Sequence, residues 1–202
     1  MIAIIDYDAG NIRSVEKACR YLGKEPVTTR EPEVIRKADH VILPGVGAFG
    51  DCMEHLKKYD LIDVIREITS LQTPFLGICL GLQLLYPASE ESPGAEGLSI
   101  LDGTITRIPD HPGLKVPNIG WNSCRLINDG RLFQGIPDEP FFYFVHSYFL
   151  TAKARGTVRA VIDYGGTQID ASVESGNTFA CQFHPEKSGE TGLAVLQNFL
   201  RI

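Results

Sequence analysis

No run of about 18 apolar residues occurs in this sequence, which leaves no candidate for a membrane-spanning helix. The apolar start, Met1-Ile-Ala-Ile-Ile5, is too short for the core of a secretory signal and carries no basic residues before it. A soluble, cytoplasmic protein is therefore expected. There are only five cysteines, with no Cys-x-x-Cys pair, and an odd count argues for reduced thiols rather than a disulfide framework. The five histidines show no His-x-x-x-His spacing, so no metal is expected, and no motif implies another cofactor. Positive charge is scarce as well. A net charge of −6 without a basic cluster argues against nucleic acid as a partner. Linkers, repeats and low-complexity tracts are missing, and 202 residues suffice for one well-buried core, so one domain spanning 1–202 is expected.

The most informative feature present is Pro74-Phe-Leu-Gly-Ile-Cys-Leu-Gly-Leu-Gln-Leu-Leu-Tyr86, an apolar strand running into a helix with Cys79 at the junction. A strand-to-helix turn this sharp strains the junction residue. Glycines at 77 and 81 would let the two elements approach without a Cβ between them. The cysteine form of a nucleophile elbow is predicted, with unpaired N–H groups and the positive end of the following helix favouring a thiolate.

A base and its orienter follow late in the chain. Phe179-Ala-Cys-Gln-Phe-His-Pro-Glu186 reads as a buried strand ending in His184-Pro185-Glu186. In extended chain, side chains two apart share a face, so Glu186 is predicted to hold the His184 imidazole while its other nitrogen exchanges a proton with sulfur. The same alternation sends Cys181 to the opposite face from Gln182 and His184, away from the reaction. Cys19 and Cys124 read as packing residues, and Cys52, just after a glycine loop, is left open. That loop, Pro44-Gly-Val-Gly-Ala-Phe-Gly-Asp51, lacks the Lys-Ser/Thr ending of a phosphate-binding loop and the spacing of a dinucleotide fingerprint. Its backbone fits an oxyanion hole instead, with N–H groups near Val46 and Gly47 acting beside that of Leu80. Because glycines flank Val46, the Val46–Gly47 peptide is expected to rotate between presenting its N–H and its C=O.

Strands expected at 1–6, 25–29, 40–43 and 74–78 alternate with helices at 11–22, 32–38, 50–69 and 80–86, the first capped by Asn11. Such alternation means an α/β fold with a parallel sheet covered on both sides. The second half is richer in strands, at about 104–108, 117–126, 140–150, 157–163, 168–173 and 178–183, before a helix from about 190 to 201. The expected architecture is a mixed, largely parallel open sheet flanked by helices. Its site lies beyond the carboxyl ends of the strands.

With these motifs together, the sequence resembles the class I (triad) glutamine amidotransferases. Within them, Pro44-Gly-Val-Gly47, Ser89-Glu-Glu91, Pro117-Asn-Ile-Gly-Trp-Asn122, Tyr143-Phe-Val-His-Ser-Tyr148 and His184-Pro-Glu-Lys-Ser188 are similar to the glutaminase subunits of imidazole glycerol phosphate synthases of histidine biosynthesis. The resemblance implies hydrolysis of the side-chain amide of glutamine through a thioester on Cys79. It implies that Gln83 and Glu91 hold the amino-acid head of the substrate, with the backbone of Ser147 and Tyr148 assisting. It implies a heterodimer in which ammonia passes to a (β/α)8-barrel cyclase that makes imidazole glycerol phosphate and aminoimidazole carboxamide ribotide. Asn118, Trp121, Tyr143 and Lys187 match positions facing that cyclase, although Asn118 stands where many relatives have His. The competing readings are the glutaminase subunit of another synthase and a cysteine peptidase or deglycase on a related fold.

Overall fold

Alternating burial along the first strands explains how the molecule is layered. A computed structural model describes all 202 residues. In β1 (Ile2–Ile5), Ala3 and Ile5 point into one core while Ile2 and Ile4 point into another. This is the two-sided burial of a strand covered on both faces. Around it run α1 (Ile12–Tyr21), β2 (Pro26–Thr29), α2 (Pro32–Arg36), β3 (His40–Gly45), α3 (Phe49–Lys58), α4 (Leu61–Ser70), β4 (Phe75–Cys79) and α5 (Leu80–Gln83). The second half contributes β5 (Gly103–Arg107), β6 (Asn118–Ser123), β7 (Arg125–Leu126), β8 (Phe141–His146), β9 (Tyr148–Ala152), β10 (Val158–Tyr164), β11 (Thr167–Ser175), β12 (Thr178–Cys181) and α6 (Gly189–Phe199).

The main sheet has the order β2-β1-β3-β4-β12-β11-β10-β7, with β9 pairing β11 and β5 pairing β9. From β2 to β12 the neighbours are parallel, and from β12 to β7 they are antiparallel. Apolar side chains of α3 and α4 fill the core on one face, and those of α1 and α6 fill the other. The expected helix-flanked mixed sheet is what forms. Placing β12 directly beside β4 is the decisive step, because it brings the chain after Cys181 next to Cys79.

Several expected elements are divided. The helix foreseen at 50–69 is two helices, broken where Asp60 takes φ 53°, a left-handed conformation that Asp tolerates. The strand foreseen at 140–150 is β8 and β9, which belong to different sheets and change over at Ser147. β6 and β8 form a separate antiparallel ribbon. Asn11 occupies the N-cap of α1, yet its side chain makes no capping bond. All five cysteines are free and buried, and no helix is long and apolar enough to cross a membrane.

Candidate active site

Cys79 closes β4 with φ 56° and ψ −111°, the only strained residue in that segment. The strain is held by close packing around the turn. A Cβ at Gly77 would come within 2.6 Å of the Gly81 carbonyl oxygen, and one at Gly81 would overlap the carbonyl oxygen of Leu43. Gly45 is part of the same contact, since a Cβ there would lie 2.5 Å from the Gly81 nitrogen. It pairs in register with Cys79 and so packs directly beneath the start of α5. α5 is only Leu80–Gln83 and gives way to turns, which shortens the expected helix at 80–86 and leaves little macrodipole at the sulfur.

His184 and Glu186 meet as expected, but by a different route. β12 ends at Cys181, and Pro185–Lys187 form a 3₁₀ turn rather than extended chain. The reason is Pro185, whose fixed φ suits the first position of a helical turn. His184 Nδ1 lies 2.8 Å from Glu186 Oε1, with both side chains buried. With Nδ1–H donated to the carboxylate, Nε2 is left without a protein partner. Burial opposes charge on this imidazole, but the neighbouring Cys79 and the Glu186 carboxylate outweigh it and raise its pKa to about 9.

Between these groups lies a cavity of about 220 Å³. It is lined by Cys79 and His184, and by Val46, Gly47, Leu80, Gln83, Glu91, Ser147 and Tyr148, so every residue foreseen for the oxyanion and for the ligand borders one space. Val145 and His146 border it too and were not foreseen. Drug-sized ligands occupy pockets of about 300–1,000 Å³, so this cavity suits an amino acid better than a peptide.

The polar groups around the cavity are specifically directed. Cys52, buried in α3, donates its S–H to the Val46 carbonyl at 3.5 Å, and burial raises its pKa to about 11, which removes it as a competing nucleophile. A planar peptide then turns the Gly47 N–H the other way, where it makes no bond within the protein. Tyr7 donates to the Pro44 carbonyl at 2.7 Å and fixes the loop from below. Gln83 gives its amide N–H groups to the Tyr148 carbonyl and to Gln182 Oε1, both at 3.0 Å, and keeps Oε1 as the acceptor it can offer a ligand. Glu91 accepts the Phe49 N–H at 2.8 Å with Oε2, anchoring the start of α3. Its other oxygen stays available for an ammonium group. The carbonyls of Ser147 and Tyr148 are already occupied, by Ile108 N–H and by Gln83.

Trp121 is 54 % exposed on β6, not a core residue. It meets Tyr143 of β8 edge to face at 6.2 Å, with the Lys187 ammonium 6.0 Å from the Tyr143 ring centre. Asn118 departs from this group. Strand alternation turns it to the other face of β6, where it is buried and donates to His146 Nε2 at 3.2 Å. His146 in turn lies 2.9 Å from the Tyr148 carbonyl through Nδ1, and burial lowers its pKa to about 4, so it remains neutral.

A junction cysteine, a histidine with a carboxylate behind it and a glycine loop converge on one amino-acid-sized cavity, and the sequence matches the glutamine amidotransferase class-I family over residues 3–202. The chain belongs to that family. This glutamine amidotransferase is 48 % identical to the imidazole glycerol phosphate synthase subunit HisH of Methanothermobacter thermautotrophicus, over 100 % of the chain and 98 % of that protein. It is 46 % identical to the subunit of the same name from Thermosynechococcus vestitus, over 100 % and 96 %. Among solved structures, it superposes on a glutamine amidotransferase with TM-score 0.77 at 19 % identity, covering 100 % and 98 % of the two chains. Another, described as PurLQS from Thermotoga maritima, gives TM-score 0.75 at 20 % identity over 99 % and 97 %. These distant matches establish the amidotransferase fold.

Proposed function

We propose that this chain is the glutaminase subunit of an imidazole glycerol phosphate synthase, acting in histidine biosynthesis in the cytoplasm. Supporting this most directly is the cavity in which Cys79, His184 and the Gly47 loop meet, in a chain that aligns end to end with relatives of that name. Cys79 attacks the side-chain carboxamide of glutamine. The oxyanion that forms is met by the N–H of Gly47 and that of Leu80, the first residue of α5. His184, protonated at neutral pH by virtue of its raised pKa, gives its Nε2 proton to the departing ammonia. The neutral imidazole then draws a proton from water as it attacks the thioester, releasing glutamate and restoring the pair of Cys79 thiolate and protonated His184. Gln83 Oε1 and the open oxygen of Glu91 receive the ammonium end of the substrate.

Free ammonia would be protonated in water and lost, so the reaction calls for a cyclase docked where ammonia leaves. The ribbon of β6 and β8 presents Ile119, Trp121 and Phe141, each more than half exposed, beside Tyr143 and Lys187. A contiguous apolar surface of this kind marks a protein interface. The partner is a cyclase of (β/α)8-barrel fold, forming a heterodimer whose combined reaction is a lyase. The test is kcat for glutamine measured on the chain alone, with cyclase, and with cyclase plus its acceptor. Hydrolysis is expected to be slow alone and to rise at each step; hydrolysis of peptides in place of glutamine would overturn the reading.

A further inference from the structure

Gln182 is completely buried, and nothing in the mechanism above uses it. Its Nε2 lies 3.7 Å from Cys79 Sγ. Which end of the amide faces the sulfur follows from its neighbours. The Tyr148 carbonyl can only accept, so Gln83 must present its NH₂ there at 3.0 Å. The same NH₂ then requires an oxygen from Gln182, which it finds in Oε1 at 3.0 Å. With Oε1 so engaged, the Gln182 NH₂ is left pointing at Cys79. The reverse orientation would set two NH₂ groups against each other.

Besides His184, the sulfur's remaining neighbour is an acceptor. As a thiol, Cys79 donates to the Val145 carbonyl at 3.8 Å, and this bond disappears when the proton leaves. The Gln182 bond strengthens at that moment, because an N–H bonded to the ionised form of a group favours ionisation. α5 has only four residues and little dipole to offer, so a fixed donor from β12's continuation fills that need.

We propose that Gln182 is a catalytic residue in this site: it donates an amide N–H to Cys79, stabilises the attacking thiolate, and owes its orientation to Gln83 and the Tyr148 carbonyl. The inference deepens the glutaminase reading, but its test stands apart from it. Gln182→Met keeps the length of the side chain and removes the donor. Alkylation of Cys79 by iodoacetamide at neutral pH, followed by peptide mass, should slow about tenfold relative to wild type, as expected for loss of a hydrogen bond to a charged group. Turnover of glutamine should fall by a similar factor in kcat with KM little changed. A folded Gln182→Met protein whose Cys79 is alkylated at the wild-type rate would overturn the proposal. Should that variant fail to fold, the side-chain amide resonances of Gln182 in the wild-type protein decide. They should move on alkylation of Cys79 while those of Gln168, on β11, stay in place, and unmoved Gln182 resonances would equally overturn it. If wild type fails to hydrolyse glutamine while Gln182→Met still slows alkylation, the functional reading fails and the donor role stands.

Discussion

The elbow around Cys79 and the ribbon of β6 and β8 are built on opposite principles. At the elbow three glycines meet so closely that no Cβ could be added, the junction backbone is strained, and the sulfur-bearing residue is 6 % exposed. On the ribbon, Ile119, Trp121 and Phe141 are 61 %, 54 % and 57 % exposed, and the two strands pair only with each other. The elbow is completed by the chain itself, which pre-positions the nucleophile. The ribbon leaves apolar surface in water, a cost that a partner covering it would recover. Substitutions in the two regions should therefore have separable effects.

The largest expected effect comes from breaking the chemistry without touching the packing. Cys79→Ala should lower kcat for glutamine by ~10⁴-fold or more with an unchanged melting temperature, because without the nucleophile the base and its orienter have nothing to act on. His184→Ala should cost about as much. Glu186→Ala should cost less, since it orients the base without touching substrate. Steady-state kinetics across the three variants checks the order, and a Glu186→Ala enzyme as fast as wild type would show that the carboxylate is not an orienter.

Next comes the packing of the elbow itself. Gly81→Ala places a methyl of α5 against the Leu43 carbonyl oxygen of β3, a backbone atom that cannot give way cheaply. Overpacking of this kind costs about 1–3 kcal/mol, and denaturant titration should show a loss at or above the top of that range. Ile119→Ala on the exposed ribbon should change stability by less than about 0.5 kcal/mol. Equal losses at the two positions would erase the distinction drawn between the regions.

This contrast also explains what could be read from the sequence. The elbow was legible because close approach demands glycine at fixed spacings, and Gly77 and Gly81 flank Cys79 at those spacings. His184 and Glu186 were legible as a pair, though not their path, because Pro185 is compatible both with extended chain and with the first turn of a helix. The change of sheet at Ser147 was hidden: Phe141 to Ala152 is a run of β-forming residues without Gly or Pro. The break at Asp60 was hidden similarly, in a segment whose apolar periodicity continues on both sides. Gln182 carried a signal that went unused. A polar residue inside Phe179–His184, two before the base and on its face, has to find a buried partner.

Smaller effects belong to the ribbon. Trp121→Ala should leave basal glutaminase activity and stability near wild type, yet weaken binding of the cyclase by about 2 kcal/mol, the cost of losing an aromatic anchor. Titration calorimetry against the cyclase measures it. Unchanged affinity would move the docking surface elsewhere on the molecule.

A further expected effect is the dependence of stability on pH, where two histidines of the cavity act in opposite directions. His184 has a folded pKa near 9 against an ordinary 6.5, raised although burial opposes it, because Cys79 and Glu186 favour its charge. Its contribution to stability is complete below pH 6.5, declines as the unfolded chain loses the proton more readily, and is gone above about 9. His146 is the reverse case, lowered by burial to about 4, so it costs nothing above 6.5. As pH falls from there toward 4 the unfolded chain takes up a proton that the folded one refuses, and stability is lost. The joint contribution of these two groups is greatest near pH 6.5. Melting temperatures scanned across this range should fall by a few degrees on either side. Glu186→Gln should make the alkaline limb shallower, since one of the two groups favouring the His184 charge is gone, and His146→Gln should do the same to the acid limb, since the titrating group itself is gone. Curves for both variants that run parallel to wild type would show that neither imidazole titrates with folding.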